Sequence, residues 1–277
     1  MNKHKIEQPT FSVVTVVYNG ESILEETITS CINQDYSQKE YIVVNGASTD
    51  HTTDIIQKHR DHITCIIDEP DHGIYDAMNK AISIATGKWI IFMNAGDFFY
   101  STNVLTLIAD MIEKFPETDV MYGNTLYHYQ NRYLLAKPLP LQRICREMIA
   151  CHQSIFIRTE LVKQHPFDTK LQLAADYKML FMFYSMGFKF KYIDQLIAVF
   201  NQDGGKTLQN FIRTTKERYS VHRDSGTVQN HILMHSYILS RQLAFTVKAL
   251  IPKKIMLKLF DIKNKNALKG EYLTRID

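Results

Sequence analysis

Four short polar strings follow four apolar runs in the first hundred residues: Tyr18-Asn19, Asn45-Gly46-Ala47-Ser48-Thr49-Asp50, Asp68-Glu69-Pro70-Asp71 and Asn94-Ala95-Gly96-Asp97. The last is the most informative. It follows Trp89-Ile90-Ile91-Phe92-Met93, a short unbroken apolar run that reads as a central parallel strand buried on both faces. In open α/β sheets, ligands bind just outside the carboxyl ends of such strands. A carboxylate there, beside a small and permissive Ala-Gly pair, suits a hard cation that carries a phosphate group. Acidic loops make poor contacts to phosphate without a cation, but they suit a base edge, ribose hydroxyls and a metal. The four strand ends therefore predict one shared crevice.

Other chemistries are argued against by the same residues. Val16-Val17-Tyr18-Asn19-Gly20 lacks the GxGxxG fingerprint, and no GxxxxGK[ST] occurs anywhere, so P-loop chemistry is excluded. His231 and His235 stand four apart, but Ile232 occupies the place where a zinc hydrolase of the H-E-x-x-H type needs an acid, so they read as an ordinary pair of helix histidines. The loop Asn201-Gln202-Asp203-Gly204-Gly205-Lys206 either closes over a diphosphate through backbone N–H groups and Lys206 or is a plain glycine turn.

These groups need a scaffold, and the periodicity supplies one. Strands are predicted at Phe11–Val17, Tyr41–Val44, Ile63–Ile67 and Lys88–Met93, alternating with helices at Glu21–Asn33, Thr52–His59 and Ile74–Ala85. This βαβαβαβ rhythm implies a doubly wound parallel sheet. A helix follows at Val104–Phe115, closed by Pro116, and the pattern then changes. Strands at 120–123 and 126–136 alternate as antiparallel strands do, Pro138 and Pro140 lead to a short helix, and His152–Arg158 is a further strand. Leu173–Met186 reads as a helix and Phe188–Phe200 as largely strand. Residues 1–206 thus form one α/β domain, with a nucleotide half over about 10–100 and a metal and acceptor half over about 101–206. Residues 207–277 are a helical, basic extension.

The chain has 277 residues, 45% of them hydrophobic and 22% charged, with a net charge of +3, which is too small to argue for nucleic acid. Cys31, Cys65, Cys145 and Cys151 have no CxxC spacing and sit in apolar stretches, predicting free core thiols in a reduced, cytoplasmic compartment. No signal-peptide pattern and no apolar run of about 20 residues is present. Ile251–Lys269 interleaves lysines with Ile255, Met256, Leu259 and Phe260. Such a basic amphipathic helix lies on the anionic inner face of a membrane or packs on protein.

Five strings in order then resemble glycosyltransferase family 2: Phe11 to Gly20, Asn45 to Asp50, Glu69 to Lys80 (Glu-Pro-Asp-His-Gly-Ile-Tyr-Asp-Ala-Met-Asn-Lys), Ala85 to Asp97, and Leu173-Ala174-Ala175-Asp176-Tyr177. The resemblance covers residues 11 to about 200. It implies a GT-A fold, Rossmann-like with a mixed acceptor half, and inverting transfer from a nucleotide sugar, usually a uridine diphosphate sugar, to a glycan or polyprenyl-linked acceptor. By that resemblance Tyr18, Asn45 and Asp71 line the nucleotide pocket, and Asn94 is counted with them. Asp97 matches the last carboxylate of the metal-binding motif, for Mn²⁺ or Mg²⁺, and Asp176 matches the catalytic base. Asp50 either supports its loop, capping the helix from His51, or reaches the base. Asn79 is a candidate donor contact, His152 and Gln153 are candidate site walls, and His222 is a candidate addition to the metal shell. Asn45 and Gly96 stand where the family usually carries acids.

The resulting expectation is an inverting glycosyltransferase of surface polysaccharide or glycolipid synthesis. A sugar-nucleotide nucleotidylyltransferase is the enzymatic rival, but it normally carries a Gly-rich, Lys/Arg-containing loop where this chain has Tyr18-Asn19-Gly20-Glu21. A non-catalytic nucleotide-sugar binding protein is the other rival, and the retained Asp97 and Asp176 argue against it.

Overall fold

The computed structural model describes residues 11–129, 132–201 and 211–224, together with 239, 240 and 243. Lys206, His231, His235 and the basic stretch 251–269 lie outside the described residues, and so do the expectations attached to them.

The parallel half runs β1 (Phe11–Val17), α1 (Leu24–Ile32), β2 (Lys39–Asn45), α2 (Thr52–Lys58), β3 (Cys65–Asp68), α3 (Ile74–Ile84) and β4 (Trp89–Phe92). Strand β1 pairs in parallel with both β2 and β4, and β2 with β3. The second half runs β5 (Phe98–Phe99), α4 (Val104–Lys114), β6 (Val120–Tyr129), β7 (Arg132–Ala136), β8 (Ile155–Arg158), α5 (Thr159–Gln164), α6 (Ala175–Ser185), β9 (Phe190–Asn201) and α7 (Phe211–Asp224). Among the described residues these strands make one sheet in the order β3-β2-β1-β4-β8-β6-β9-β5, with β7 on β6. The chain leaves β1 toward β2 and β3, then returns to its other side as β4. That reversal is the topological switch at which such sheets bind ligands.

Both faces of the central strands are covered. Val14, Val16, Ile42, Val44 and Ile90 pack with Met78 and Ala81 of α3 and Met179 and Leu180 of α6. Phe11, Val13, Val43, Trp89 and Ile91 pack with Leu24 and Ile28 of α1 and Leu105 and Ile108 of α4. Burial on both faces explains why these strands are continuous apolar runs rather than alternating ones. The entry to β4 is fixed by a buried carboxylate: Glu40 accepts hydrogen bonds from Ser12 Oγ (2.5 Å), Thr86 Oγ1 (2.8 Å), and the backbone N–H groups of Thr86 (2.5 Å) and Gly87 (3.0 Å). A Cβ on Gly87 would stand 2.6 Å from the Phe11 carbonyl carbon, so the close approach to β1 requires glycine there.

Several details differ from the sequence expectations. Helix α1 starts at Leu24, not Glu21, because Gly20 N–H and Glu21 N–H are held by Thr52 Oγ1 (2.8 Å) and Asp50 Oδ2 (3.1 Å) before the helix begins. His152–Ser154 is a 3₁₀ turn, and the strand proper begins at Ile155. Residues 120–129 form one strand, irregular near Gly123, where a Cβ would stand 2.6 Å from the Ile197 side chain. That strand is antiparallel to β7 and β8 but parallel to β9. Strand β5 and helix α5 were not foreseen. Cys31 is buried, its thiol pushed up to about 12 by desolvation, but Cys145 is exposed and is no core thiol. Among the described residues no helix is long and apolar enough to cross a membrane.

Candidate active site

A cleft of about 740 Å³ opens beyond the carboxyl ends of β1 and β4, and its walls include Tyr18, Asp71, Asn94, Asp97, Gln153 and Asp176. His152 completes this set. The structure therefore gathers the predicted donor, metal and base residues from segments as far apart as β1 and α6. Asn45, Asp50 and Asn79 are not among the lining residues.

The nucleotide end is built by loops that hydrogen-bond to one another. Asn19, in the left-handed region at φ 49°, accepts from Thr49 N–H (2.8 Å), and its own N–H donates to Ser48 Oγ (2.8 Å). Asn45 is fully buried: its Nδ2 donates to Asp68 Oδ1 (2.9 Å) and its Oδ1 accepts from Ser48 Oγ (2.6 Å). It ties the ends of β2 and β3 together beneath the cleft, so an amide serves here better than a second carboxylate facing Asp68. Asp50 spends its oxygens on Glu21 N–H, Thr52 N–H and Thr52 Oγ1, which makes it a brace of the loop and of the start of α2. Asp71 faces the cleft; it accepts from Gly73 N–H (2.8 Å), and its carboxylate occupies the space a Cβ on Gly46 would need. Tyr18, at 61% exposure, presents an aromatic face suited to stacking. Asn79 exchanges hydrogen bonds with both the N–H and C=O of Phe167 (2.9 Å each), so it pins that segment to α3 instead of facing a ligand.

Asp97 is placed by a tight turn in which its N–H donates to Asn94 C=O (2.9 Å) and Gly96 takes φ 95°. A side chain is strained at such a φ, which accounts for glycine where an acid is usual. Burial pushes the Asp97 carboxyl up to about 8, while the Asn201 backbone and the Gln153 side chain pull it partly back. Asn94 Oδ1 is buried without a hydrogen-bond partner, and Gln153 Nε2 has none of good geometry beyond its pull on Asp97, so the floor of the cleft holds incompletely met polar groups beside that carboxyl. Such groups await a partner. Among the described residues no three His, Cys, Asp or Glu side chains converge on a metal site. A divalent cation would thus take one protein carboxylate and draw its other oxygens from substrate and water, as Mg²⁺ commonly does. His222 does not join it: its Nε2 lies 2.6 Å from Tyr177 Oη, and burial lowers its pKa.

Asp176 stands in the first turn of α6, but it is not the N-cap, which is Ala174. Its Oδ1 accepts from Tyr75 Oη (3.0 Å) and Tyr177 N–H (2.8 Å), and Oδ2 lies 3.8 Å from His152 Nδ1. Desolvation, then Asp176, holds the Tyr75 hydroxyl well above its ordinary range, so it remains a donor. His152 Nε2 meets Asn94 Nδ2 at 3.0 Å, and desolvation lowers the imidazole's pKa against the pull of Asp176. His152 thus stands between the β4 turn, through its contact with Asn94, and Asp176 of α6. Tyr75 and Arg218 also belong to this region and were missed; Tyr75 lies inside a recognised string without a role, and Arg218 lies beyond all of them.

A family model described as Glycosyl transferase family 2 matches residues 12–197. The PGL/p-HBAD biosynthesis glycosyltransferase of Mycobacterium tuberculosis is 28% identical over 202 residues, covering 71% of this chain and 78% of that protein. The Escherichia coli UDP-Glc:alpha-D-GlcNAc-diphosphoundecaprenol beta-1,3-glucosyltransferase WfaP is 32% identical over 124 residues, covering 44% of this chain and 46% of its own. Among solved structures, the mannosyltransferase PcManGT from Pyrobaculum calidifontis, in complex with GDP-Man and Mn²⁺, superposes with a TM-score of 0.64 at 17% identity, over 97% of this chain and 83% of that one.

Proposed function

The chain belongs to glycosyl transferase family 2, and we propose that it moves a sugar from a uridine diphosphate sugar to a hydroxyl of a glycan or polyprenyl-diphosphate-linked acceptor, with inversion at the anomeric carbon. The observation that carries this reading is the pairing of Asp97 and Asp176 in one cleft at the topological switch of the sheet. The name of WfaP supports the uridine donor and the lipid-diphosphate acceptor, and the Mn²⁺ complex of PcManGT supports the metal.

Inverting transfer needs the acceptor hydroxyl to lose a proton on the face of the sugar opposite the leaving diphosphate. Asp176 Oδ2 accepts no hydrogen bond among the described residues and lies free to take that proton, while Tyr75 and the Tyr177 N–H hold Oδ1 and fix the carboxylate plane. Tyr18 and Asp71 bind and orient the nucleoside end. Asp97 would hold Mn²⁺ or Mg²⁺, and the ion, when bound, offsets charge that grows on the diphosphate. Asn94 Oδ1 is then available to polar groups of the donor.

The test is thermal stabilisation by UDP-Glc, UDP-GlcNAc and GDP-Man with and without Mn²⁺. Ligand that binds the native state raises the melting temperature by mass action. A UDP-sugar should stabilise the wild type more with Mn²⁺ than without, and Asp97→Asn should lose the Mn²⁺ increment. Stabilisation by GDP-Man alone would overturn the uridine assignment, and equal stabilisation of Asp97→Asn would overturn the metal assignment.

A further inference from the structure

We propose that Arg218 of α7 forms a phosphoryl-anion subsite at the acceptor end of the cleft, where it binds a phosphate or diphosphate group carried by the acceptor. This rests on the reading of the cleft as a nucleotide-sugar site and names what holds its second substrate.

Among the described residues, two side chains with permanent positive charge line the cleft, Lys137 and Arg218. Lys137 is committed to Asp194, with Nζ at 3.0 and 3.2 Å from the two carboxylate oxygens. Arg218 is not: its Nε is buried without a hydrogen-bond partner, and no described carboxylate pairs with its guanidinium. Its guanidinium carbon instead lies 5.5 Å from the centroid of the Tyr177 ring. An arginine with a desolvated, unmet N–H in a ligand cleft is a group prepared for an anion, and a planar guanidinium matches phosphate in a bidentate manner.

The arginine is held there rather than merely near. Glu217, its neighbour, accepts hydrogen bonds from three successive backbone N–H groups, Gln172 (3.1 Å), Leu173 (2.8 Å) and Ala174 (3.1 Å), which lead into α6. Tyr177 Oη donates to Ile144 C=O (2.8 Å) and meets His222 Nε2 of the same helix α7. Helix α7 is thereby keyed to the N-terminus of α6, and the ring that carries Arg218 is itself fixed. Ordering costs that a ligand would otherwise meet on binding are already met by the fold.

The position selects the source of the anion. In an inverting displacement, base and leaving diphosphate lie on opposite faces of the transferred sugar. Arg218 packs on Tyr177, the residue after the base, and so belongs to the side from which the acceptor arrives. The donor diphosphate is served from the Asp97 turn.

The experiment is a binding titration with the nucleotide site filled by UDP and Mn²⁺, using decyl diphosphate as the anionic probe and decyl glucoside as its neutral counterpart. Wild type should bind decyl diphosphate and prefer it to the glucoside. Arg218→Gln should weaken the diphosphate at least tenfold with UDP affinity unchanged, and Arg218→Lys, which keeps the charge but not the fork, should fall between them. Undiminished binding in both variants, or no preference in the wild type, overturns the proposal. Weakened UDP with unchanged decyl diphosphate overturns it too, because Arg218 would then serve the donor. Failure of UDP to bind the wild type is a separate result that contradicts the donor reading, and the probe titration without nucleotide still reads Arg218. If Arg218→Gln does not fold, as its melting curve would reveal, the Arg218→Lys comparison stands on its own.

Discussion

At the scale of single residues, the proposed proton transfer turns on how one carboxylate is held. Asp176 Oδ1 receives two donors while Oδ2 receives none among the described residues, an asymmetry that presents one oxygen to a proton. The Tyr75 hydroxyl is the side-chain half of that arrangement, and substitution by Phe removes it while keeping the ring. A hydrogen bond to a charged group contributes about 1.5 kcal/mol, which is roughly tenfold in rate if it acts in the transition state. Tyr75→Phe should therefore lower kcat by about tenfold with nucleotide affinity unchanged, measured by steady-state kinetics beside a UDP titration. A variant that keeps full kcat would leave Tyr75 as packing only. Strand-end position and recognisable strings both pointed at Asp97, Tyr18 and Asp71, whereas Asp176, in a helix, was visible only through its string. At Asn45 and Asn79 the sequence offered ligand contacts where the structure shows hydrogen bonds within the protein, and of the two roles it left open for Asp50 the structure shows the brace. Polar side chains in loops bind backbone and one another as readily as ligands, and only the partner list separates the two.

At the scale of elements, the parallel half was the more legible because strands buried on both faces leave long apolar runs. Strands of the second half are harder: alternation marks a face but not a direction, so the parallel pairing of β6 with β9 could not be read. Two-residue β5 and six-residue α5 are too short for any period to emerge. The docking of α7 on α6 was likewise invisible, since a glutamate that accepts three backbone N–H groups looks like any surface acid in the sequence. Glu217 is nonetheless the anchor of that contact. Glu217→Gln keeps the size but not the charge, and losing charge-assisted bonds should cost about 1.5–3 kcal/mol of stability. Because the loop it holds leads directly to Asp176, kcat should fall while UDP affinity stays. Urea unfolding and kinetics on the same variant check both; a variant with wild-type stability would mean the three N–H groups find other acceptors.

At the scale of the molecule, one topological fact assembles the site. The chain returns to the free side of β1 as β4, and the turn after β4 then shares a crevice with the loops after β1 and β3, while the loop after β2 braces them from outside its lining. The second half carries α6 and its Asp176 to the same crevice, with α7 behind it. The central claim is that Asp176 acts as the base and Asp97 serves the donor, two roles in one cleft. The most direct measurement compares turnover and nucleotide affinity in Asp176→Asn. General-base help contributes roughly 10²–10⁴ in rate, so turnover of a UDP-sugar should fall by that factor while UDP binding with Mn²⁺ stays at its wild-type value. Turnover that survives the substitution, or affinity lost in the same proportion as turnover, would contradict the account.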